Sequence, residues 1–327
     1  MTPVLSVSNL TTHFHTADGV VRAVDDVSFE VAAGETLGIV GESGSGKSVT
    51  ALSILRLIEQ PPGWFGPKSR IELDGQNILE LSSKELRKIR GAEISMVFQE
   101  PGTSLNPVLT VGYQVVETIR AHSKISRSEA WRQAVQLLET VGIPDAPLRA
   151  RDYPHQMSGG MLQRVMIAIA LSCKPKVLIA DEPTTALDVT IQAQIVDLLI
   201  DLKKKFGMAI VFITHDLGVL ARLADRVAVM YAGQIVEHGT AAQIYGEPGH
   251  PYTKGLLTAV PRVDKRRGEL AGIPGSVPAA TAWPAGCRFH PRCPSRLARC
   301  DQESPPPCVI GPGHTADCWL HTESNEP

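Results

Sequence analysis

A short apolar run that opens directly into a glycine-rich loop places the strongest constraint on how this chain can fold. Thr36–Val40 is predicted to be a buried strand, and the next residues, Gly41-Glu42-Ser43-Gly44-Ser45-Gly46-Lys47-Ser48, follow the pattern G-x-x-x-x-G-K-[ST]. An apolar helix carrying Leu52 and Leu55 comes next. This context predicts a phosphate-binding loop. A chance glycine-rich turn is the alternative, which the flanking strand and helix disfavour.

The residue types of the loop suit a nucleoside triphosphate with magnesium. Glycines let backbone amides turn inward around phosphate oxygens, and the N-terminus of the helix adds positive potential. Lys47 is expected to reach the β and γ oxygens, and Ser48 is expected to hold Mg²⁺. The residues predicted to contact the nucleotide in this segment are Gly41, Ser43, Gly44, Ser45, Gly46, Lys47, Ser48 and Val49.

Alternating helices and apolar strands predict an α/β fold with a mostly parallel sheet. Val27, Phe29 and Val31 alternate with polar residues as in a half-buried strand, and Ala209–Ile213 is a continuous apolar run typical of a buried strand. Between these two strands a further helix is predicted from apolar residues at helical spacing, namely Ile191, Ile195, Leu198, Leu202 and Phe206. Such an alternation implies a sheet covered by helices on both faces.

The middle of the chain is predicted to be a largely helical insert. The segments that begin at Ser82 and Ser126 both fit the capping-box pattern, with Glu85 and Glu129 three residues later. Glycines further along, at positions 91 and 142, are placed as helix stops.

A buried strand that ends in two acidic residues supplies a second part of the predicted site. Val177–Ala180 is followed by Asp181, which would bind Mg²⁺ directly or through water, and by Glu182, which would activate the attacking water. The alternative is that the acids only cap the next helix. Two weaker candidates follow predicted strands. His215 could contact the γ-phosphate or the water, or be a structural histidine, and Gln99 could be an ordinary loop residue.

Composition bounds the class of protein. The chain has 327 residues, of which 43% are hydrophobic, and a formal net charge of -2 with dispersed basic residues, so nucleic acid is not expected as a partner. No apolar run is long enough to span a bilayer, and no signal peptide is evident, so a cytosolic location is expected. From about Glu247 the sequence becomes rich in proline, glycine and cysteine. We therefore predict one domain over 1–246 and a C-terminal extension over 247–327.

Together these motifs resemble the nucleotide-binding subunit of an ABC transporter. The resemblance assigns the Walker A loop to Gly41–Ser48, the Q-loop to Gln99, Walker B to Asp181 and Glu182, and the switch histidine to His215. It implies a P-loop NTPase fold with a mostly parallel RecA-like core, an N-terminal antiparallel β part, and a helical subdomain over about 100–165. It also implies ATP and Mg²⁺ as cofactors, with Gln99 as a magnesium ligand beside Ser48 and Asp181.

The same resemblance extends to residues that serve a neighbouring subunit. Ser158-Gly159-Gly160 matches the family signature, which meets the ATP held on the Walker A loop of a partner arranged head to tail. Ala186-Leu187-Asp188 matches the D-loop, with Asp188 near the nucleotide. Phe14 occupies the position of the aromatic residue that stacks on adenine, although a core phenylalanine is an alternative. The signature commonly ends in glutamine, whereas this chain has Met161.

A narrower resemblance is to the ATPase subunits of dipeptide and oligopeptide importers. It is carried by Phe98–Pro107, Pro154–Arg164 and His250-Pro251-Tyr252. It implies a second related ATPase, most simply in a heterodimer, two transmembrane permease subunits and an extracytoplasmic solute-binding protein, with this chain at the cytoplasmic face of the plasma membrane. The segment from Gln99 to Asn106 would receive the membrane subunit. Importers of nickel or glutathione are close relatives and remain alternatives.

Five of the six cysteines crowd the C-terminal extension, which favours metal binding over disulfides in a chain without a secretion signal. The peptide-importer resemblance implies a [4Fe–4S] cluster in some members, with Cys287, Cys293, Cys300 and Cys318 as its ligands. Four thiolates suit zinc equally well, and unliganded thiols in a loose tail are a further alternative. The tail has little apolar content for a core, so a bound metal could hold it together.

Two other functional classes were weighed against a transporter. Soluble ABC ATPases that act as mechanical clamps carry long heptad arms on DNA or two cassettes in one chain on ribosomes, and neither feature is present. A redox-responsive regulatory module is supported only by the cysteine-rich tail. The motif set therefore favours transport.

Overall fold

The computed structural model describes residues 3–185, 187–259 and 272–322. The described residues form two compact units, each built from separate stretches of chain. The first unit takes those of 1–4, 31–35 and 80–212, and the second takes those of 5–30, 36–79 and 213–327. None of the described helices is both long enough and apolar enough to cross a membrane. The predicted boundary after residue 246 stays a prediction.

The first unit is mainly helical. Its described elements are α2 Ser83–Ile89, β7 Ile94–Val97, α3 Pro101–Ser104, α4 Val111–His122, α5 Arg127–Thr140, α6 Ala146–Arg149, α7 Gly159–Leu171, β8 Val177–Asp181 and α8 Val189–Phe206. Strands β7 and β8 pair in parallel, with Ile94 opposite Val177. Every element from α3 to α7 is a helix, as the insert predicted from the sequence requires.

The second unit contains most of the strands. Its elements are β1 Leu5–Thr16, β2 Gly19–Val31, β3 Thr36–Val40, α1 Lys47–Ile54, β4 Gly63–Phe65, β5 Arg70–Leu73, β6 Gln76–Asn77, α9 Leu217–Leu223, β10 Arg226–Tyr231, β11 Gln234–Thr240, α10 Ala241–Gly246, α11 Pro251–Ala259, β12 Cys308–Gly311 and β13 His314–Ala316. Strand β9, Ala209–Thr214, runs from the first unit's residues into the second's.

Two sheet regions organise the second unit. The N-terminal one has the order β2-β1-β5-β6, with β4 also on β1, and β1 pairs antiparallel with β4 and β5. The other has the order β12-β13-β11-β10-β3, in which β10 runs parallel to β3 and antiparallel to β11. The predicted strands at Val27–Val31 and Thr36–Val40 are both confirmed, as parts of β2 and as β3.

Of the two predicted capping boxes, the one at Ser82 is complete and the one at Ser126 supplies only its N-cap half. The Ser82 side chain accepts from the Glu85 amide, and the Glu85 carboxylate accepts from the Ser82 amide, which completes a capping box on α2. Ser126 caps α5 by accepting from the Glu129 amide at 3.2 Å. Because side-chain caps are short-range interactions, a sequence pattern of four residues is enough to predict them.

Helix α8 forms where predicted, but its buried face is displaced from the predicted stripe. It ends at Gly207, whose φ of 65° gives the left-handed C-cap. Its buried residues are Ile195, Val196, Leu199 and Leu202. Leu198 and Phe206, which were placed in the stripe, are only half-buried. An apolar stripe about 100° wide is compatible with either of two adjacent helix faces being buried, and tertiary packing decides which one is.

The C-terminal extension packs more closely than its composition led us to expect. Strand β13 adds to β11, with Glu237 opposite Ala316. Phe289 is 2% exposed and its ring lies 5.3 Å from those of both Tyr231 and Tyr252. The tail therefore has apolar packing of its own, because it inserts an aromatic residue into the second unit and buries it there.

A buried carboxylate fixes the start of the extension. Glu237 accepts from the backbone amides of Gly249 at 2.6 Å and His250 at 2.8 Å, and its Oε1 lies 2.8 Å from His314 Nε2. Glu237 is 1% exposed, and a buried charge needs such partners. These contacts tie the segment before α11 and the strand β13 to the same residue of β11.

Candidate functional site

The phosphate loop is held in shape by close backbone packing. Strand β3 is buried along its whole length, and it delivers the chain into the loop at Gly41. A Cβ atom on Gly41 would lie 2.1 Å from the Met230 carbonyl oxygen. Gly46 has a φ of 101°, and a Cβ there would lie 2.4 Å from the Ala23 carbonyl oxygen. Only glycine fits these two positions, so the amides of the loop can turn inward.

Lys47 is folded over the loop that precedes it. Its ammonium group donates to the carbonyl oxygens of Gly41 at 2.7 Å and Glu42 at 2.9 Å. The side chain is only 4% exposed. A desolvated ammonium group is suited to bind phosphate oxygens, and this role of Lys47 stays a prediction. Of the other loop residues, Ser43 and Gly44 are exposed, and Ser48 and Val49 are half-buried in the first turn of α1.

Phe14 lies on the face of β1 that is turned towards the phosphate-loop helix. Thr12, two residues earlier, makes a 2.8 Å hydrogen bond from its hydroxyl to that of Ser53 in α1. Residues two apart on a strand share a face, so Phe14 is on the α1 side. It is half-buried. The contact with adenine stays a prediction.

The two acids of the first unit have different surroundings. Asp181 ends β8 and is 5% exposed. Glu182 is half-buried and has a φ of 46°, a left-handed conformation that is rare for a glutamate. Its Oε2 accepts from Gln99 Nε2 at 3.1 Å and from Thr185 Oγ1 at 2.8 Å. The structure thus brings the predicted base and the Q-loop glutamine into direct contact.

Two donors on one oxygen fix where the Glu182 carboxylate points. Thr185 was not singled out in the sequence, and its only signal was its place three residues after Glu182, from which its hydroxyl reaches back to the carboxylate. The strained backbone and the oriented side chain together indicate a functional position.

The signature residues form the N-terminus of a long helix. Ser158 is the N-cap of α7, and its hydroxyl accepts from the Met161 amide at 3.4 Å. Ser158 and Gly159 are exposed. Gly160 is half-buried, and a Cβ atom added to it would lie 2.9 Å from the Ile191 side chain. The first amides of α7 therefore face the surface, as an anion-binding terminus requires. Met161 changes a side chain but not this arrangement of amides.

Two further predicted residues are located at element ends. Asp188 is exposed and caps α8, accepting from the Ile191 amide at 2.9 Å. His215 is exposed and follows β9 directly. Ala186, predicted as part of the D-loop, lies outside the described residues. The nucleotide roles of Asp188 and His215 stay predictions.

Sequence patterns missed the contacts that hold Glu42, the second residue of the phosphate loop. Its carboxylate oxygens accept from both terminal nitrogens of Arg292, with Nη1–Oε2 at 2.7 Å and Nη2–Oε1 at 2.9 Å. Its backbone N–H donates to the Tyr252 hydroxyl at 2.9 Å. Both partners come from the C-terminal extension. Arg292 is 250 positions away in sequence, beyond the reach of any local periodicity.

The four cysteines assigned as ligands converge in space. Cys287, Cys293, Cys300 and Cys318 line one pocket of the second unit, together with Phe289. Burial, the largest cause, raises the pKa of the Cys287 thiol to about 11. No group of three or more histidine, cysteine or acidic side chains among the described residues is arranged around one metal ion. Cys308 donates towards the carbonyl oxygens of Pro306 at 3.4 Å and Cys318 at 3.8 Å.

Comparison with known proteins identifies the family. The family model for "ABC transporter" matches residues 24–185, and that for "Oligopeptide/dipeptide transporter, C-terminal region" matches residues 236–300. The chain is 51% identical over 329 residues to the dipeptide transport ATP-binding protein DppD of Bacillus subtilis (strain 168), which covers 100% of this chain and 97% of that protein. The chain belongs to the ABC transporter ATP-binding proteins.

Other relatives of this ABC ATPase agree with that assignment. DppD of Escherichia coli (strain K12) is 50% identical over 315 residues, with 96% of each chain covered. Among solved structures, the dimeric ATP-binding cassette MJ0796 bound to ADP and Pi has a TM-score of 0.65 and 30% identity, and the match covers 72% of this chain and 98% of that one. The resemblance and the fold class inferred from the motifs are confirmed.

We predict that an added methyl group lowers the free energy of unfolding by different amounts at two glycines of the loop. Gly46→Ala should lower the free energy of unfolding by roughly 3 kcal/mol or more, because strain at positive φ is joined by overlap with the Ala23 carbonyl. Gly44→Ala is the control, since its φ is 80° and no atom lies within 4 Å of the added carbon, so only about 1 kcal/mol of strain is expected. Urea unfolding without nucleotide measures both. Equal losses would contradict the packing described above.

Proposed function

We propose that this chain is the ATPase subunit of an importer for dipeptides or oligopeptides, acting at the cytoplasmic face of the plasma membrane. The observation that carries the proposal is similarity along the whole chain, extension included, to proteins named for dipeptide transport. The phosphate loop, the acidic strand end and the signature helix supply the parts that an ATPase needs. The substrate class comes from the relatives' names.

ATP would be bound between two subunits rather than within one. The amides of Ser158, Gly159 and Gly160 and the N-terminus of α7 would meet the γ-phosphate held on the phosphate loop of the partner. The exposure of Ser158 and Gly159 supports this, because an anion site that serves a neighbour must be open to it. We infer a related second ATPase as that partner, in a heterodimer. Hydrolysis would remove the shared charge and release the pair.

Each residue of the site has a proposed task in hydrolysis. Lys47 and the loop amides bind the β- and γ-phosphates, and Phe14 stacks on adenine. Ser48, Asp181 and Gln99 would hold Mg²⁺, and oxygen and amide donors of this kind suit that ion. The ion supplies charge neutralisation for the phosphates. Glu182 takes the proton of the attacking water, and His215 would contact the γ-phosphate.

The importer needs further subunits. We propose that this chain works with two transmembrane permease subunits and an extracytoplasmic solute-binding protein, and that Gln99–Asn106 faces the membrane subunits. Helix α3 and the exposed Phe98 lie at this surface. Gln99 touches both this surface and the Glu182 carboxylate, so a shift of the surface would reach the base directly.

We also propose that the cysteine pocket holds a [4Fe–4S] cluster. Four sulfurs line one pocket, which supports a shared ligand. Four thiolates suit a single zinc ion as well, and it is the likeness of the extension to those of peptide transporters that favours the cluster. The four thiols would have to lose their protons on binding, since thiolates are the ligands.

We predict that Glu182→Gln slows ATP hydrolysis by roughly 10²- to 10⁴-fold while ATP binding is kept, because the amide removes the base but can still accept from Thr185. Purified together with the second ATPase, the variant should accumulate with ATP as a pair of subunits, measured by size-exclusion chromatography. The control is Glu139→Gln, which changes an exposed glutamate of α5 in the same unit. Unchanged turnover in Glu182→Gln would assign the base to another residue.

Purification from a membrane extract tests the assignment to an importer. A tagged full-length chain should bring down two hydrophobic permease subunits and a second ATPase, identified by mass spectrometry, and lose them when detergent dissociates the complex. A chain that is isolated alone and shows full ATPase activity would contradict the transport proposal.

Iron content and visible absorption test the cluster. Anaerobically purified protein should contain about four iron atoms per chain, with a broad absorption that is lost on chelation or air oxidation. Cys287→Ser should abolish both signals, whereas Cys308→Ser, outside the ligand set, should keep them. Stoichiometric zinc without iron would overturn this assignment and leave the ATPase assignment intact.

A further inference from the structure

We propose that Arg292 of the C-terminal extension is a positioning residue of the nucleotide site, which acts by neutralising and fixing Glu42 of the phosphate loop. The extension would then be part of the site where ATP binds. This inference rests on the proposed nucleotide role of Gly41–Ser48. It follows from side-chain geometry alone and does not depend on what the cysteines hold.

Every polar group of Glu42 is engaged. The carboxylate is bound by both terminal nitrogens of Arg292, the backbone N–H donates to Tyr252, and the backbone carbonyl accepts from Lys47 Nζ at 2.9 Å. The carbonyl also accepts from the Ser45 amide at 3.2 Å. The residue therefore connects two groups of the extension directly to the lysine that is expected to bind the phosphates.

The Arg292 side chain is held in one position by burial and by hydrogen bonds to backbone carbonyl oxygens. Its side chain is 6% exposed, and besides Glu42 it donates to the carbonyl oxygens of Pro274 at 2.8 Å, Ile273 at 3.2 Å and Gly275 at 3.3 Å. Two parallel N–H donors on one carboxylate fix orientation as well as charge. Three carbonyl contacts on the same guanidinium mean that Glu42 is held by a preformed group and not by a flexible surface arginine.

The turn that carries Arg292 is itself anchored. Arg292 ends the short 3-10 turn His290–Arg292, which follows the buried Phe289. The rings of Tyr231 and Tyr252 pack on Phe289, and Tyr252 is the residue that accepts from the Glu42 amide. A single aromatic cluster thus sets both of the groups that hold Glu42.

Charge gives a reason for this contact. A carboxylate in the second position of a phosphate loop repels the triphosphate that the loop must bind, and the repulsion is felt over several ångströms at a partly desolvated site. A guanidinium on both carboxylate oxygens cancels most of that charge. Without Arg292, Glu42 would carry an uncompensated negative charge beside the nucleotide and would lose the contact that orients it.

The experiment measures binding of Mg²⁺–ADP to the full-length chain by isothermal titration calorimetry, since ADP is not hydrolysed. Arg292→Ala should weaken binding roughly tenfold, and the same change in the Glu42→Gln background should weaken it less than about twofold, because no unpaired carboxylate remains. The tenfold loss should also shrink as salt is raised, because salt screens the repulsion. If Arg292→Ala weakened ADP binding through lost packing, the loss would be the same in the Glu42→Gln background and at raised salt.

Matched variants separate this claim from simpler explanations. Arg296→Ala removes an arginine of the same extension that pairs with Asp301 at 2.7 Å, and it should bind ADP normally. Arg292→Lys keeps the charge but loses the paired N–H contacts, so it should bind ADP more weakly than the native chain and more tightly than Arg292→Ala, and it serves if Arg292→Ala does not fold. Tyr252→Phe removes the hydroxyl that accepts from the Glu42 amide without changing any charge. The loss of ADP affinity that it causes should be the same in the native and Glu42→Gln backgrounds.

The outcomes are distinguishable from failure of the nucleotide site itself. If Lys47→Ala leaves ADP binding intact, the assignment of the phosphate loop is wrong. If Lys47→Ala abolishes binding while Arg292→Ala leaves it unchanged, or weakens it equally in the native and Glu42→Gln backgrounds, the role given to Arg292 is wrong.

Discussion

Close packing of backbone against backbone at the phosphate loop is the constraint on which the second unit depends. Gly41 and Gly46 lie so close to the carbonyl oxygens of Met230 and Ala23 that neither has room for a Cβ atom. The Gly233 amide donates to the Ser45 carbonyl at 2.9 Å. Strands β2 and β10 therefore pack directly against the phosphate loop. A loop held this tightly has its amides oriented before any anion arrives, which lowers the entropy lost on binding.

The same end of β10 also receives the C-terminal extension. Tyr231, the last residue of β10, packs against Phe289 and Tyr252, and the Tyr252 hydroxyl accepts from the loop residue Glu42. The extension thus contacts the loop through the strand that supports it and through Glu42 itself. A segment that composition marks as a separate, irregular domain is, in physical terms, part of the packing around the nucleotide loop.

Short-range patterns predicted most of the fold and of the site. Strand β3 and the capping box at Ser82 both follow from interactions within a few residues, and each was located correctly. The Glu42–Arg292 pair and the burial of Phe289 were missed, because both join segments far apart in sequence. Asp188 shows the limit of motif reading, since its position is also explained by a helix cap.

Two elements of the first unit suit a site completed by a neighbour. Gln99 and Thr185 orient the Glu182 carboxylate within the unit, whereas the signature amides at the start of α7 face the surface. A base that is oriented in its own chain and an anion site that is open to another are what a nucleotide shared by two subunits requires. Cleavage and closure would then belong to the pair.

Photo-crosslinking from the position just before the signature tests this claim most directly. A diazirine amino acid in place of Met157, which is half-buried, should join the purified transporter's ATPase subunits when Mg²⁺ and a slowly hydrolysed ATP analogue are present. The account predicts a product with the mass of two polypeptides, in which the crosslinked peptide of the second contains its phosphate loop. A crosslink to Gly41–Ser48 of the same polypeptide, with or without nucleotide, would contradict it.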